Sequence, residues 1–430
     1  MTQVLTRSYL DELGAAAEAP GPAWLAPLRR QAADYFAAVG FPTSRHEEWR
    51  FTNVAAIARA TFQPAAPAPL DEADLVPFGF GHPEWPRLVL VNGHLAPALS
   101  RIPALPGLRL GSLGQGDEAV AVRHLARHAP IEGTPFVALN TALLKEAVWV
   151  HVAPDTKVEQ PIHLVHVTTE AAGTAVHPRT LIVVERGARA SVVESYVTLD
   201  AGERYFSNAV TEVVLGENAW LEHARIQRES ERAFHVGFTH VDQARDSHYR
   251  SFTLAMGGAV ARHNLHARLG ASNVETLLYG LYLTRGEQEV DNHTAIFHDH
   301  PDCRSWEVYK GVLEGRSHAV FNGKVFVRPE AQRTDAKQTN RNLLLGDGAR
   351  VDTKPQLEIF ADDVKCTHGA TVGHLDQTAL FYARSRGVPM AEARRLLTYA
   401  FAAEVLEEIA VEPVRLELER QVLDRFERGV

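Results

Sequence analysis

The chain has 430 residues with 45% hydrophobic content, enough to bury a sizeable core. Its 44 basic and 53 acidic residues are intermixed and leave a formal charge of -9, so there is no basic stripe of the kind that nucleic acid or an anionic membrane surface requires. Two cysteines, Cys303 and Cys366, lie far apart without Cys-x-x-Cys spacing, which excludes a disulfide framework and a self-contained zinc or cluster site and points to a reducing compartment.

The opening MTQVLTRSYLDEL carries acidic residues at helical spacing, where a secretory signal needs a basic start and an apolar run. No stretch approaches the ~18 uncharged apolar residues of a membrane span, so cytoplasmic residence is the expectation. Leu25, Leu28, Ala32, Tyr35, Phe36 and Val39 recur at steps of three and four and predict a helix over 24–39, with a second short helix before it. The proline-rich FQPAAPAP at 62–69 cannot sustain a helix and reads as a linker, closing an N-terminal helical region over 1–70.

From about residue 87 the texture changes to short runs such as RLVLV, IHLVHV, TLIVVE and VTEVVL, broken by glycine, asparagine and aspartate. A turn, a small residue and an alternating strand recur at Ala190, Ala219, Ser247, Ser272 and Ala349, at intervals of about 29, 28, 25 and 77 residues, within the range of stacked repeats. The pattern predicts a mainly β protein whose core, 71–373, is a parallel β-helix. A large antiparallel sandwich is the alternative, but its hairpin signals are nearly absent. Asn322-Gly323 sits between β-type runs as a hairpin turn would, and Asn92-Gly93 is a weaker case.

After Gly373 the helical period returns over 374–430. Asp376 is placed to cap a short helix that ends at Arg386-Gly387, and Pro389 opens a longer one carrying Leu397, Phe401, Val405 and Ile409 four apart. A last helix over about 413–428 aligns Leu418, Val422 and Phe426.

Among candidate chemistries, His298 and His300 would share a face of one strand with Glu307 within reach, the pattern of a mononuclear metal enzyme, set against plain hydrogen-bonded sheet histidines. Phosphate-loop, Gly-x-Ser-x-Gly and His-Glu-x-x-His patterns are missing, so the chain is not expected to hydrolyse ATP. Asp335 and Asp347 could serve a β-helix lyase, a chemistry at odds with the missing export signal. Cys366 and His368, two apart on a strand, would face one side and both suit iron, but one chain has too few thiolates for a cluster. The plainer reading makes Cys366 a small buried hydrophobe and His368 a packed strand residue.

YKGVLEG, AVFNGKVFVRPEAQRTDAKQTNRNLLLG, ARVDTKPQLEIFADDVKCTHGATVG and LFYARSRGVP, together with HEEWRFTNV at 46–54, resemble the SufB/SufD family of iron–sulfur cluster assembly scaffolds. The element KPQLEIFADDVKCTHGATVG and the low cysteine count are most like its SufD branch. That resemblance implies a right-handed parallel β-helix between helical termini and a non-catalytic subunit with no tightly bound cofactor. It implies pairing with SufB through the β-helix, docking of the SufC ATPase by the C-terminal helices, with Leu397, Phe401 and Val405 as candidate contacts, and transient iron or nascent cluster at the SufB interface. His368 is the residue it assigns to that interface and Cys366 a second. It leaves homodimerisation of the isolated chain open, and a purely structural adaptor that never touches iron is the remaining alternative.

Overall fold

The computed structural model describes residues 9, 12–15, 20–114, 119–169, 172–199 and 202–428. Its centre is a parallel β-solenoid of about eight turns. Successive strands alternate between two sheets, so each neighbour within a sheet comes from the next coil. The first sheet runs from Arg179–Val184 through Phe206–Leu215, Phe234–Gln243, Val260–Leu269, Glu289–His298 and His318–Val327 to Arg350–Ile359. The second runs from Ile162–Thr168 through Arg189–Thr198, Trp220–Arg228, His248–Ala255, Glu275–Thr284, Arg304–Leu313 and Thr334–Leu344 to Val364–Gly373. The β-helical expectation holds, and the sandwich alternative is overturned by the parallel pairing.

The inward side chains of both sheets meet in one apolar core that includes Val192, Leu221, Tyr249, Leu278, Ile296 and Phe321. At each corner between a strand of the first sheet and the next strand of the second, one residue adopts a left-handed backbone: Asp155, Gly187, Asn218, Asp246, Asn273, Asp302 and Arg333. Each donates its N–H to the carbonyl of the following coil, as Asn218 does to Arg245 and Asp302 to Gln332. Asn and Asp tolerate this conformation best among residues with a side chain, hence their recurrence here.

The register differs from the sequence reading in three places. Ala219 and Ser247 do precede paired residues, Trp220 and His248. Ala190, however, pairs with Leu221, and Glu275 rather than Asn273 faces His248, so the repeats assigned at Ala190 and Ser272 are each two residues out. Ala349 precedes a strand of the opposite sheet. The two Asn-Gly pairs also exchange roles. Asn92 and Gly93, both at positive φ, form the hairpin between Arg87–Val91 and His94–Leu95, whereas Asn322-Gly323 lies inside the continuous strand His318–Val327.

Helices cover the outer faces. Leu25–Val39 is helical as expected, ends at Gly40 and buries Leu25, Ala32, Ala33 and Phe36. Tyr9 and residues 12–15 are helical upstream, and the remainder of that expected first helix lies outside the described residues. Phe36, Phe41, Trp49 and Phe62 pack with Phe136 of the helix Pro135–Ala142 and with Phe206 and Phe234 on the first sheet, each burial worth about 1.5–3 kcal/mol. Two short helices, Ala119–His124 and Pro135–Ala142, interrupt the segment read as β throughout. Asp376 caps Gln377–Ser385 through the N–H groups of Thr378 and Ala379, and Met390–Leu406 and Glu412–Arg428 follow. Leu418, Val422 and Phe426 bury against Ile226, Phe252 and Leu254 of the second sheet.

A buried ion pair within the first sheet fastens the segment that follows the helix Ala119–His124 to the solenoid. Arg179 and Glu212 are 2.8 Å apart with both side chains fully enclosed, and Glu212 also accepts the backbone N–H groups of Ala126, Arg127, His128 and Ala129. Burial pulls the Glu212 carboxyl up, but the guanidinium and those N–H groups outweigh it and hold it below the ordinary carboxylate value. Arg179→Met leaves that charge enclosed without its cation. The expected loss is about 3–5 kcal/mol, read as a lower urea midpoint, and a loss under about 1 kcal/mol would contradict the role given to the pair.

Candidate functional site

The two ends of the solenoid differ. At the N-terminal end both sheets finish in antiparallel strands, Leu108–Ser112 in one and His94–Leu95 in the other. At the C-terminal end the outermost strands, Arg350–Ile359 and Val364–Gly373, pair on one side only, and neither contains a single buried residue. Ile359, Phe360 and Val372 are exposed there, Phe360 by 58%. An unpaired sheet edge carrying apolar side chains is a template for another chain. Pro355, which has no N–H to give, lies within one of these strands; Val364–Gly373 has no proline.

Cys366 and His368 lie on that last strand. Their register partners are Ala336 and Gln338, which are buried and point into the solenoid, so both side chains sit on the lumen side of a coil with nothing stacked above it. Thr367 alternates to the outer face. Cys366 is half-buried against Val325, Val327 and Ala361, and burial raises its thiol above the ordinary cysteine value. His368 is exposed. The structure therefore places an imidazole and a thiol on one face at the open end, as the spacing predicts.

His368 crowns a column of inward side chains. Going down from it, the paired positions are Gln338, Glu307, Leu278, Ser251, His223 and Val192. Gln338 Nε2 donates to Glu307 Oε2 at 2.9 Å. Burial pushes the Glu307 carboxyl up to about 7, against the opposing hydrogen bond of Gln338.

The other candidate site does not form. The strand Glu289–His298 ends at His298, which turns inward, fully buried, with Nε2 2.8 Å from Ser305 Oγ. His300 lies in the exposed turn beyond it, so the two histidines do not share a strand face, and Glu307 is engaged by Gln338. Burial lowers His298 to about 4. Among the described residues no group of three or more His, Cys, Asp and Glu side chains is arranged to hold a metal ion. Cys303 is buried, donates to Ala271 O at 3.2 Å and is pushed up to about 11 by burial, an inert thiol.

Leu397, Phe401 and Val405 turn toward the body of the protein, where a docking surface would need them outward. Val405 is buried with the second-sheet cluster, Leu397 packs near Leu380 and Ala393, and Lys310 Nζ lies 4.6 Å from the Phe401 ring centroid. The exposed large apolar residues of the C-terminal helices are Phe381, Tyr382, Met390, Leu396 and Leu416.

Sequence reading missed the polar interior. Glu194, fully buried, accepts hydrogen bonds from Tyr196 and Thr211, both at 2.9 Å, with His166 and His223 at 3.6 and 3.4 Å. One coil on, Glu229 lies 2.5 Å from His235. These residues occupy inward positions of alternating strands, a signal that becomes visible once the repeats are in register. The conspicuous HEEWRFTNV segment, in contrast, is an anchor. Glu47 pairs with Lys354 at 2.7 Å, Trp49 stacks on Arg262 at 3.7 Å, and Thr52 donates to Asp291, pinning the N-terminal region to the outer face of the first sheet as far as its last strand.

Residues 166–401 match the family model for the SUF system FeS cluster assembly SufBD core domain, and residues 9–164 match that for the SufBD protein N-terminal region. The chain is 36% identical over 392 residues to an iron–sulfur cluster assembly SufBD family protein of Synechocystis sp., covering 89% of this chain and 86% of that protein. It is 33% identical over 409 residues to the iron–sulfur cluster assembly protein SufD of Escherichia coli, covering 93% and 92%. To the SufD of Bacillus subtilis it is 30% identical over 298 residues, covering 68% and 66%.

Proposed function

Since this chain belongs to the SufBD family of iron–sulfur cluster assembly proteins, we propose that it is a cytoplasmic SufD-type scaffold subunit that presents its open solenoid end to SufB and docks the SufC ATPase through its C-terminal helices. The observation that carries this reading is the uncapped last coil with His368 and Cys366 on its lumen side. Iron and nascent cluster are cargo at that junction: the imidazole and thiolate supply part of a coordination sphere and the partner's side chains the rest. No group in this chain is asked to perform catalysis. Energy reaches it as a rearrangement of the junction driven by nucleotide binding in SufC.

The SufC surface is assigned to Phe381, Tyr382 and Leu396, which are exposed by 75%, 60% and 47%. Deleting the helices would uncover the second-sheet cluster, so surface substitution is the cleaner test. Phe381→Asp with Leu396→Asp is expected to abolish co-elution of SufC while SufB still co-purifies, with stability changed by no more than about 0.5 kcal/mol. Undiminished SufC binding by that variant would overturn the docking assignment, and failure of the unsubstituted chain to co-purify with SufB would overturn the pairing.

A further inference from the structure

We propose that Gln338 is a positioning residue for His368: its side-chain oxygen accepts one imidazole N–H and so leaves the lone pair of the other ring nitrogen facing the open end. The inference rests on reading His368 as an iron-handling group. A histidine that meets metal through one nitrogen needs its other N–H fixed by an acceptor, which selects the tautomer and the ring orientation.

Several observations place that acceptor at Gln338. It is the register partner of His368 on the adjacent parallel strand, about 4.7–4.9 Å away, on the same lumen face. It is 2% exposed. Its amide orientation is set from below, because Nε2 donates to Glu307 and the reversed amide would put oxygen against a carboxyl oxygen. Its position is set from the side: a Cβ on Gly323 would collide with the Gln338 amide, so glycine there makes room for it. What remains is Gln338 Oε1, buried and without a hydrogen-bond partner, an arrangement that costs about 1–3 kcal/mol unless something donates to it.

The neighbouring amide donors are committed elsewhere. Asn340 Nδ2 bonds Tyr282 Oη and Tyr309 O, Asn342 Nδ2 bonds Asn340 Oδ1, and Thr294, whose hydroxyl has no hydrogen-bond partner, lies one coil below Gly323. The imidazole one coil above is the donor the column lacks. Glu307 then acts at one remove, by holding the amide that holds the ring.

The test uses the full-length chain labelled with 15N at histidine, at pH 8, with the His368 resonances identified by their loss in His368→Ala. A single His368 tautomer is expected in the wild-type chain. Gln338→Leu is expected to show a mixture of tautomers. A free-imidazole mixture in the wild type overturns the proposal without needing any variant, and so does a wild-type tautomer in Gln338→Leu. In the complex with SufB and SufC, Gln338→Leu is expected to lower cluster yield by about 10-fold, the lower range for removing the outer partner of a metal-bound histidine. A fixed tautomer together with normal cluster yield from His368→Ala would remove the iron reading and leave the hydrogen bond standing, so the two failures are told apart.

Discussion

His368→Ala is expected to leave the chain folded and its complex with SufB and SufC assembled, and to reduce cluster yield by at least about 10-fold. The side chain is exposed on the outermost strand of the second sheet, so its loss should cost no more than about 1–3 kcal/mol, the cost of leaving the buried Gln338 oxygen without a donor. The chemistry it supplies cannot be borrowed from nearby. Cys366 shares its lumen side but is half-buried, with its thiol held protonated by burial. His374, further along, bonds Leu344 O. Thr367→Ala is the matched control, since its side chain alternates to the outer face of the same strand, and wild-type yield is expected from it. Iron–sulfur absorbance after reconstitution, normalised to complex recovered by gel filtration, is the measurement. Full yield from His368→Ala in an intact complex would end the assignment of His368 to cluster formation.

The architecture was legible because a parallel solenoid repeats its corner roughly every 30 residues and each coil writes two short β runs into the sequence. Its register was less so, because the reading keyed on small residues such as Ala190 and Ser272, which any strand start tolerates. The left-handed corner admits few residue types, and Asn218, Asp246, Asn273 and Asp302 mark it directly. The same physics misled at Asn322-Gly323. A glycine after asparagine suits a hairpin, yet Gly323 is there to clear space for Gln338, a need that arises only from the next coil. At the site, the shared face of Cys366 and His368 followed from strand alternation, whereas the open edge and the column of Gln338 and Glu307 beneath it depend on contacts between coils. Leu397, Phe401 and Val405 were read correctly as an apolar stripe, but a stripe does not say what it packs against; here it is the helices' own support.

Stability is expected to fall steeply between pH 6.5 and pH 5, the range in which the histidines of an unfolded chain take up protons. Five histidines are held as neutral rings, among them His177 and His266, each lowered to about 3 by burial. His163 is lowered to about 3 by burial, with Arg228 and Arg87 adding to it, and bonds Ser195 Oγ at 2.9 Å. His298 is lowered to about 4 by burial, and His263 well below its ordinary value by burial and the nearby Arg225. In the unfolded chain each takes up a proton below about pH 6.5 that the folded chain refuses. The unfolded state then binds more protons, so stability rises with pH through this window. Each ring contributes a slope of up to about 1.4 kcal/mol per pH unit, while Glu289 and Glu307, pushed up to about 7 by burial, take up protons in the folded chain and oppose it, so that the net loss by pH 5 is on the order of 5 kcal/mol, comparable to the whole net stability of many domains. The urea midpoint should therefore drop sharply from pH 7 to pH 5 at nearly constant m-value. His298→Asn, which keeps a polar contact to Ser305 and cannot be protonated, should flatten that slope by about one third. A midpoint unchanged between pH 7 and pH 5 would mean that the buried rings take up protons in the folded chain, and the dry surroundings drawn around them would have to be given up.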